Sequence, residues 1–168
     1  RPVLSVISDE FRICGPAQPY LSLDLGHRSD PNRHPDLQVE RVCDEGGLRD
    51  YDVFEEHEGR PAEWSVAGAA MALPECSLWL GRMNGVPVAR AMLLVTDPVA
   101  SIHNVIVYEQ YRRRGFGRAV TAAAVDAARA AGARAVSLGA SSMGNELYRA
   151  MGFELRYYLA TFEPIAPE

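Results

Sequence analysis

Alternation of apolar and polar side chains marks the first regular elements of this chain. "LQVERVC" (37–43) switches character at nearly every residue, as a strand with one buried face does. "DEGGLRDYDVFEEH" (44–57) spaces Leu48, Tyr51 and Phe54 at three-residue steps, which predicts a helix with Asp44 near its start. "PAEWSVAGAAMAL" (61–73) predicts a second helix, with Pro61 at a permissive first-turn position and Pro74 as its stop. "CSLWLGRM" and "VPVARAMLLV" flank Asn84-Gly85, a pair that tolerates positive φ and so predicts a tight hairpin. "ASIHNVIVY" (100–108) is another strand.

The second half repeats the strand and helix rhythm. Residues 115–131 read as a helix with Phe116, Val120, Ala123, Ala124, Ala127 and Ala131 on one face. Arg118, Thr121, Asp126 and Arg129 fall on the other. Gly132 is its stop. "ARAVSLGA" (133–140) reads as a buried strand and "SSMGNELYRAMG" (141–152) as a short helix. "FELRYYLATFE" (153–163) supplies one or two final strands. The order strand, helix, helix, three strands, helix, strand, helix, strand predicts a mixed α/β layer architecture.

Upstream, "VLSVI" and "YLSLDLG" have the character of short strands, and "HRSDPNRHPD" (27–36) reads as a loop. A boundary is expected there. Residues 1–35 are taken as an N-terminal extension, and residues 36–168 as the domain proper. The chain opens on Arg1 rather than Met, so a longer N-terminal region is expected ahead of it.

Composition narrows the classes. The chain has 168 residues, 48% of them hydrophobic, and a net charge of −5. That length suits one core. An acidic balance argues against a nucleic-acid polymer as partner. No apolar run reaches the length of a membrane span, and no leader resembles a signal peptide. Cys14, Cys43 and Cys76 are isolated, without the spacing of a zinc site or a disulfide framework. A cytoplasmic protein without a metal is expected.

Against this acidic background "EQYRRRGFGRA" (109–119) concentrates four arginines and two glycines between a strand and a helix. Gly115 and Gly117 allow unusual backbone angles and close approach of a ligand. The helix start offers unpaired N–H groups and the positive end of its dipole. Residues 113–118 can therefore cradle a pyrophosphate, with Arg112, Arg113, Arg114 and Arg118 adding charge. The Walker A lysine is absent, and Val120 stands where a dinucleotide fold needs its third glycine.

The pattern Arg112-x-x-Gly115-x-Gly117 after a strand, followed by Leu147, Tyr148, Gly152 and Phe153, resembles the acyl-CoA-binding core of the GNAT superfamily of N-acetyltransferases. The specific part spans residues 100–153. The resemblance implies a mixed, mostly antiparallel sheet flanked by about four helices, with a splayed strand pair holding acyl-CoA. It places the pantetheine arm and thioester along Val105, Ile106 and Val107, and the pyrophosphate on the turn with Gly115, Phe116 and Gly117. It makes acetyl-CoA the donor and a small-molecule or peptide amine the acceptor. A homodimer is compatible with it; nucleic acid and membrane are not expected. Glu109 stands where the family often has proline, and Ser141 where it often has a CoA-facing asparagine, with Asn145 as the alternative.

Acyl transfer to an amine needs a base for the amine proton and an acid for the leaving thiolate. Tyr148 matches the acid by motif position. His103, on the strand leading to the site, shares by alternation a face with Ser101 and Val105 and is the candidate base. His27, His34 and His57 read as surface loop residues, and Trp64 and Trp79 as core. Glu55, Glu56 and Glu58 would form an acidic rim or a solvated helix end. The competing reading keeps the cradle but not turnover, as an acyl-CoA sensor.

Overall fold

Asn84 and Gly85 both take positive φ, 52° and 80°, as a two-residue hairpin turn demands. They join strands β4 (Cys76–Met83) and β5 (Val86–Thr96), with Met83 opposite Val86. The computed structural model describes residues 11–26, 34–57 and 67–164. "VLSVI", His27, Glu58, Trp64 and the start of the helix expected at Pro61 lie outside the described residues, as do the side chains of residues 54–57.

Around the hairpin run β1 (Phe11–Ile13), β2 (Gln18–Asp24), β3 (Gln38–Arg41), α1 (Glu45–His57), α2 (Ala67–Met71), β6 (Val99–Val107), α3 (Phe116–Ala130), β7 (Ala135–Gly139), α4 (Ser142–Ala150), β8 (Glu154–Leu159) and β9 (Phe162–Pro164). Seven strands form one sheet in the order β3-β4-β5-β6-β7-β2-β8, and β1 pairs separately with β9. Every neighbour in the large sheet is antiparallel except β6 and β7. This is the mixed, mostly antiparallel sheet that the pattern predicts.

The stretch ahead of the 27–36 loop supplies β2, and β2 sits between β7 and β8 rather than outside the sheet. Leu21 pairs with Leu138 on one side and Leu155 on the other and is buried. Tyr20 stacks on Tyr157 with ring centroids 5.1 Å apart.

Two layers of helix cover the sheet. On one face Val42, Tyr51, Ala67, Ala70, Leu78 and Leu80 pack beneath α1 and α2. Arg90 belongs to this region and is fully buried; it donates to the Tyr51 carbonyl at 3.1 Å and lies 4.7 Å from the Tyr51 ring. Asp44 caps α1 by accepting from the Gly47 N–H at 2.8 Å. On the other face α3 and α4 cover Leu93, Ala100, Ile102, Val136 and Leu138.

The buried face of α3 differs from the expected one. Phe116, Val120, Ala124 and Ala128 form its axis, with Ala119, Thr121, Ala122 and Val125 also buried. Ala131 is exposed and Ala123 and Ala127 only half-buried. An alanine-rich helix writes little contrast into its sequence, so periodicity locates its face only roughly. Thr121, read as surface, has no exposure at all.

Candidate active site at the splay of β6 and β7

The parallel pairing of β6 with β7 stops at Ile102 opposite Leu138, although β6 continues to Val107. Beyond that point the backbone groups of residues 103–107 that face away from β5 meet no strand among the described residues. A bulge helps to aim them. Arg90 pairs with Ile106 and Met92 with His103, so β6 carries one extra residue there. Asn104 takes φ +51°, the left-handed region that an asparagine tolerates.

The bulge corrects the simple alternation. Ser101 and His103 pair with Leu94 and Met92 and share the face of α1 and α2. Val105 packs instead with the α3 side. Ile106 returns to the α1 and α2 face and Val107 to the α3 face. Val105, Ile106 and Val107 thus line both lips of one opening rather than one wall of it.

A short 3-10 turn at Glu109–Tyr111 carries the chain from β6 towards α3. Gly115 is the N-cap of α3, with φ +85° and no side chain to cap the first turn. A methyl group there would meet the His34 ring at 3.2 Å. Three bare N–H groups, of Phe116, Gly117 and Arg118, therefore start the helix without an intrahelical partner. Gly117 sits where Leu147 of α4 and Val107 of β6 converge, so the turn, the strand end and α4 meet at one spot.

The four arginines divide the work. Arg112 donates from Nε to the Val107 carbonyl at 3.1 Å and staples the turn to the strand end. Arg118 donates to the Ala150 carbonyl at 3.4 Å and ties α3 to the end of α4. Arg114 lies over the Phe116 ring at 5.1 Å. Arg113 is exposed and takes φ +61°, a costly angle for a side chain of this size. Phe116 itself is a core residue, 1% exposed.

Tyr148, on α4, is buried and packs against Phe153 at 5.9 Å. A methyl on Gly144 would come within 2.9 Å of the Tyr148 ring, so the ring fills the space above that glycine. Burial pushes the Tyr148 pKa up to about 12, while its hydrogen bond with Thr121 pulls the other way. His103 is exposed on the opposite face and shares a 2.8 Å hydrogen bond between Nε2 and Ser101 Oγ. Desolvation lowers its pKa from the ordinary histidine value. Ser141 caps α4 by accepting from the Gly144 N–H at 3.1 Å, and Asn145 accepts from Arg149 Nε at 3.3 Å. Both side chains are thereby already used by α4.

The sequence model of the acetyltransferase (GNAT) family matches residues 40–153. The chain belongs to that family. Solved structures place the GNAT fold alongside known examples. A GCN5-related N-acetyltransferase from Kribbella flavida aligns over 99% of this chain and 65% of its own, at 22% identity and a TM-score of 0.75. AAC(6')-Iy, solved with the bisubstrate analogue CoA-S-monomethyl-acetylneamine, aligns over 70% of this chain and 90% of its own, at 16% identity and a TM-score of 0.63. A glucosamine N-acetyltransferase region of a fungal multi-domain β-N-acetylglucosaminidase aligns over 89% of this chain and 21% of its own, at 15% identity and a TM-score of 0.71. The chain spans just under two thirds of the Kribbella protein. No curated protein sequence matches it.

Within this GNAT frame two neighbours of the site escape a linear reading. His34, expected on a surface loop, stands edge-on to Phe116 at 4.9 Å and beside Gly115. Its sequence context, rich in Pro and Asp, carries no sign of this. Thr121 donates to the Gly117 carbonyl at 2.8 Å, and its nearness lowers the Tyr148 pKa against the effect of burial. Its i to i+4 distance from Gly117 is the one available signal. Among the described residues no group of three His, Cys, Asp or Glu side chains is placed to hold a metal, and no helix is long and apolar enough to cross a membrane.

Proposed function

We propose that this chain is an N-acetyltransferase that moves the acetyl group of acetyl-CoA directly to a primary amine in a ternary complex. The observation that carries the reading is the opening of β6 from β7 after Ile102, next to the uncapped start of α3. The fit to the donor is electrostatic. The start of α3 carries no side-chain cap, so its first N–H groups are open to a phosphate, and the helix dipole favours the charge. The resemblance to AAC(6')-Iy, solved with a CoA-linked acetylated amine, supports a small amine as acceptor.

In this reading the pantetheine arm runs along Val105, Ile106 and Val107, and the diphosphate rests on the N–H groups of residues 113–118. Arg113 and Arg114 reach the outer phosphates; Arg112 and Arg118 hold the cradle in shape. The amine approaches from the face of α1 and α2, on which His103 lies. The amine nitrogen attacks the thioester carbon and His103 takes its proton, directly or through water. Partial desolvation lowers the His103 pKa from the ordinary histidine value, the direction that suits a base. The C–S bond then breaks, and Tyr148, on the α3 and α4 face, gives its proton to the departing sulfur. Base and acid so work from opposite sides of one gap in the sheet.

Calorimetry with acetyl-CoA, followed by thiol release with a panel of primary amines, tests this. Binding together with amine-dependent release supports transfer. Binding without release on any amine supports the acyl-CoA sensor, and no binding overturns both.

A further inference from the structure

Ile102 and Leu138 are the last partners of the parallel pair of β6 and β7. His103 and Gly139 come next, one on each lip of the opening. Side chains alternate across a strand. Leu138 and Ala140 pack towards α3 and α4, so Gly139 faces the opposite side of the sheet, on which His103 lies. His103 is exposed there, and Gly139 has no side chain to set against it.

β2 supplies what β7 lacks. Tyr20 pairs with Gly139 and faces the same way, since Leu21 is buried on the other side. A methyl on Gly139 would lie 2.9 Å from Gln18 Nε2 and 3.2 Å from the Tyr20 ring. Both side chains therefore reach across β7 to the lip. Tyr157 of β8 stacks on Tyr20 with the ring planes 8° apart, which braces one side of the ring and leaves the other towards β7.

We propose that Gln18 and Tyr20 are specificity-determining residues of the acceptor site, and that they select a polyhydroxylated cyclic amine, the chemistry of an amino sugar. Their role rests on the reading of the chain as an acetyl-CoA-dependent transferase to amines. With its amino group beside His103, such an acceptor lies over Gly139. The Tyr20 ring offers an apolar surface to the C–H groups of a saturated ring. The Gln18 carboxamide both donates and accepts, as a hydroxyl group requires. Ser137 and Ser22 pair with one another behind them and add hydroxyls on the same face. The charges of that row are already matched. Glu154, opposite Ser22, pairs with Arg156 at 3.2 Å, and Arg156 donates to Ser22 Oγ at 2.6 Å. The carboxylate of the row is thus engaged, whereas a polyamine would need one for its second cation. A tyrosine pair that served only the sheet would need neither a bare Gly139 nor Gln18 beside it. Both residues precede residue 40, where the family match begins, so this lip is written outside the shared core.

The test is thiol release by the full chain with glucosamine, cyclohexylamine and spermidine as acceptors. The parent is expected to favour glucosamine over the other two at least about tenfold in kcat/KM. Gln18→Ala and Tyr20→Ala are each expected to raise the glucosamine KM about tenfold with a smaller change in kcat, while the acetyl-CoA Kd, by calorimetry, stays within about twofold. Gln18→Ala is expected to raise the cyclohexylamine KM less than about twofold, since that amine has no hydroxyl to lose. Following one amine across variants cancels differences in amine basicity. Tyr20→Phe keeps the ring and is expected to recover most of the loss. An unchanged glucosamine KM in both alanine variants overturns the inference, as does a parental preference for cyclohexylamine or spermidine. A loss shared equally by acetyl-CoA binding and by both ring amines marks a structural role and overturns it too. If no amine speeds thiol release, the transferase reading fails and takes the inference with it. Thermal melts check each variant for folding, and the exposed Gln18 carries the test where Tyr20→Ala unfolds.

Discussion

A buried phenol with its pKa pushed up to about 12 holds its proton firmly at neutral pH, and a thiolate in water, with an ordinary pKa near 8.5, is too weak a base to take it. In the proposed mechanism the departing sulfur is desolvated, which makes it a stronger base than a thiolate in water and able to take that proton. Tyr148→Phe is therefore expected to lower kcat about a hundredfold with little change in the acetyl-CoA KM, measured by thiol release. His103 makes a prediction of opposite sign in pH. Its folded pKa lies below its unfolded value, so between the two the folded chain binds fewer protons than the unfolded chain. The corresponding stability is level above the unfolded histidine pKa and declines as pH falls through the folded one. Urea melts of the parent at about pH 7.5 and about pH 5.5 should show a loss that His103→Gln reduces. The acid limb of kcat/KM should lie below the ordinary histidine value and vanish with the same variant. The helix that carries Tyr148 was legible from the sequence because its signals are local. The burial of Thr121 was not, because a threonine among alanines and arginines looks like a surface residue.

The turn into α3 and the bulge in β6 are the elements on which the site depends. Gly115 has φ +85° and His34 3.2 Å from where a methyl would sit. Gly115→Ala is expected to cost about 1–2 kcal/mol of stability for the left-handed angle and to weaken acetyl-CoA binding at least about tenfold, by calorimetry. Asn104→Val puts a β-branched residue at φ +51° and should cost a similar amount, while Asn104→Gly should be tolerated. The glycines of the turn announced themselves in sequence, since their spacing is rare. The bulge did not: it inserts one residue into a strand without breaking the apolar run, and so put His103 and Val105 on opposite faces. The arginines were legible as charge but not as structure. Arg112 and Arg118 spend hydrogen bonds on the Val107 and Ala150 carbonyls, which only the folded turn reveals.

The whole molecule closes its sheet with a strand from its own beginning. β2 fills the place between β7 and β8, and Leu21 is buried there at 1% exposure. The family match begins only at residue 40, so the N-terminal strand lies outside it. A chain starting at residue 36 should leave β7 and β8 without their shared neighbour and lose its cooperative thermal transition, followed by circular dichroism. Element types and order from residue 37 onwards were legible because hairpin, turn and helix signals are local. The place of β2 was not, because pairing across more than a hundred residues leaves no local trace. The central claim, transfer of acetyl from CoA to an amine across the opening between β6 and β7, is met most directly by the rate of free-thiol release from acetyl-CoA with primary amines present. Saturable release that depends on an amine and yields its N-acetyl product in equal amount is the predicted result. Release that no amine accelerates above the hydrolytic background would contradict it.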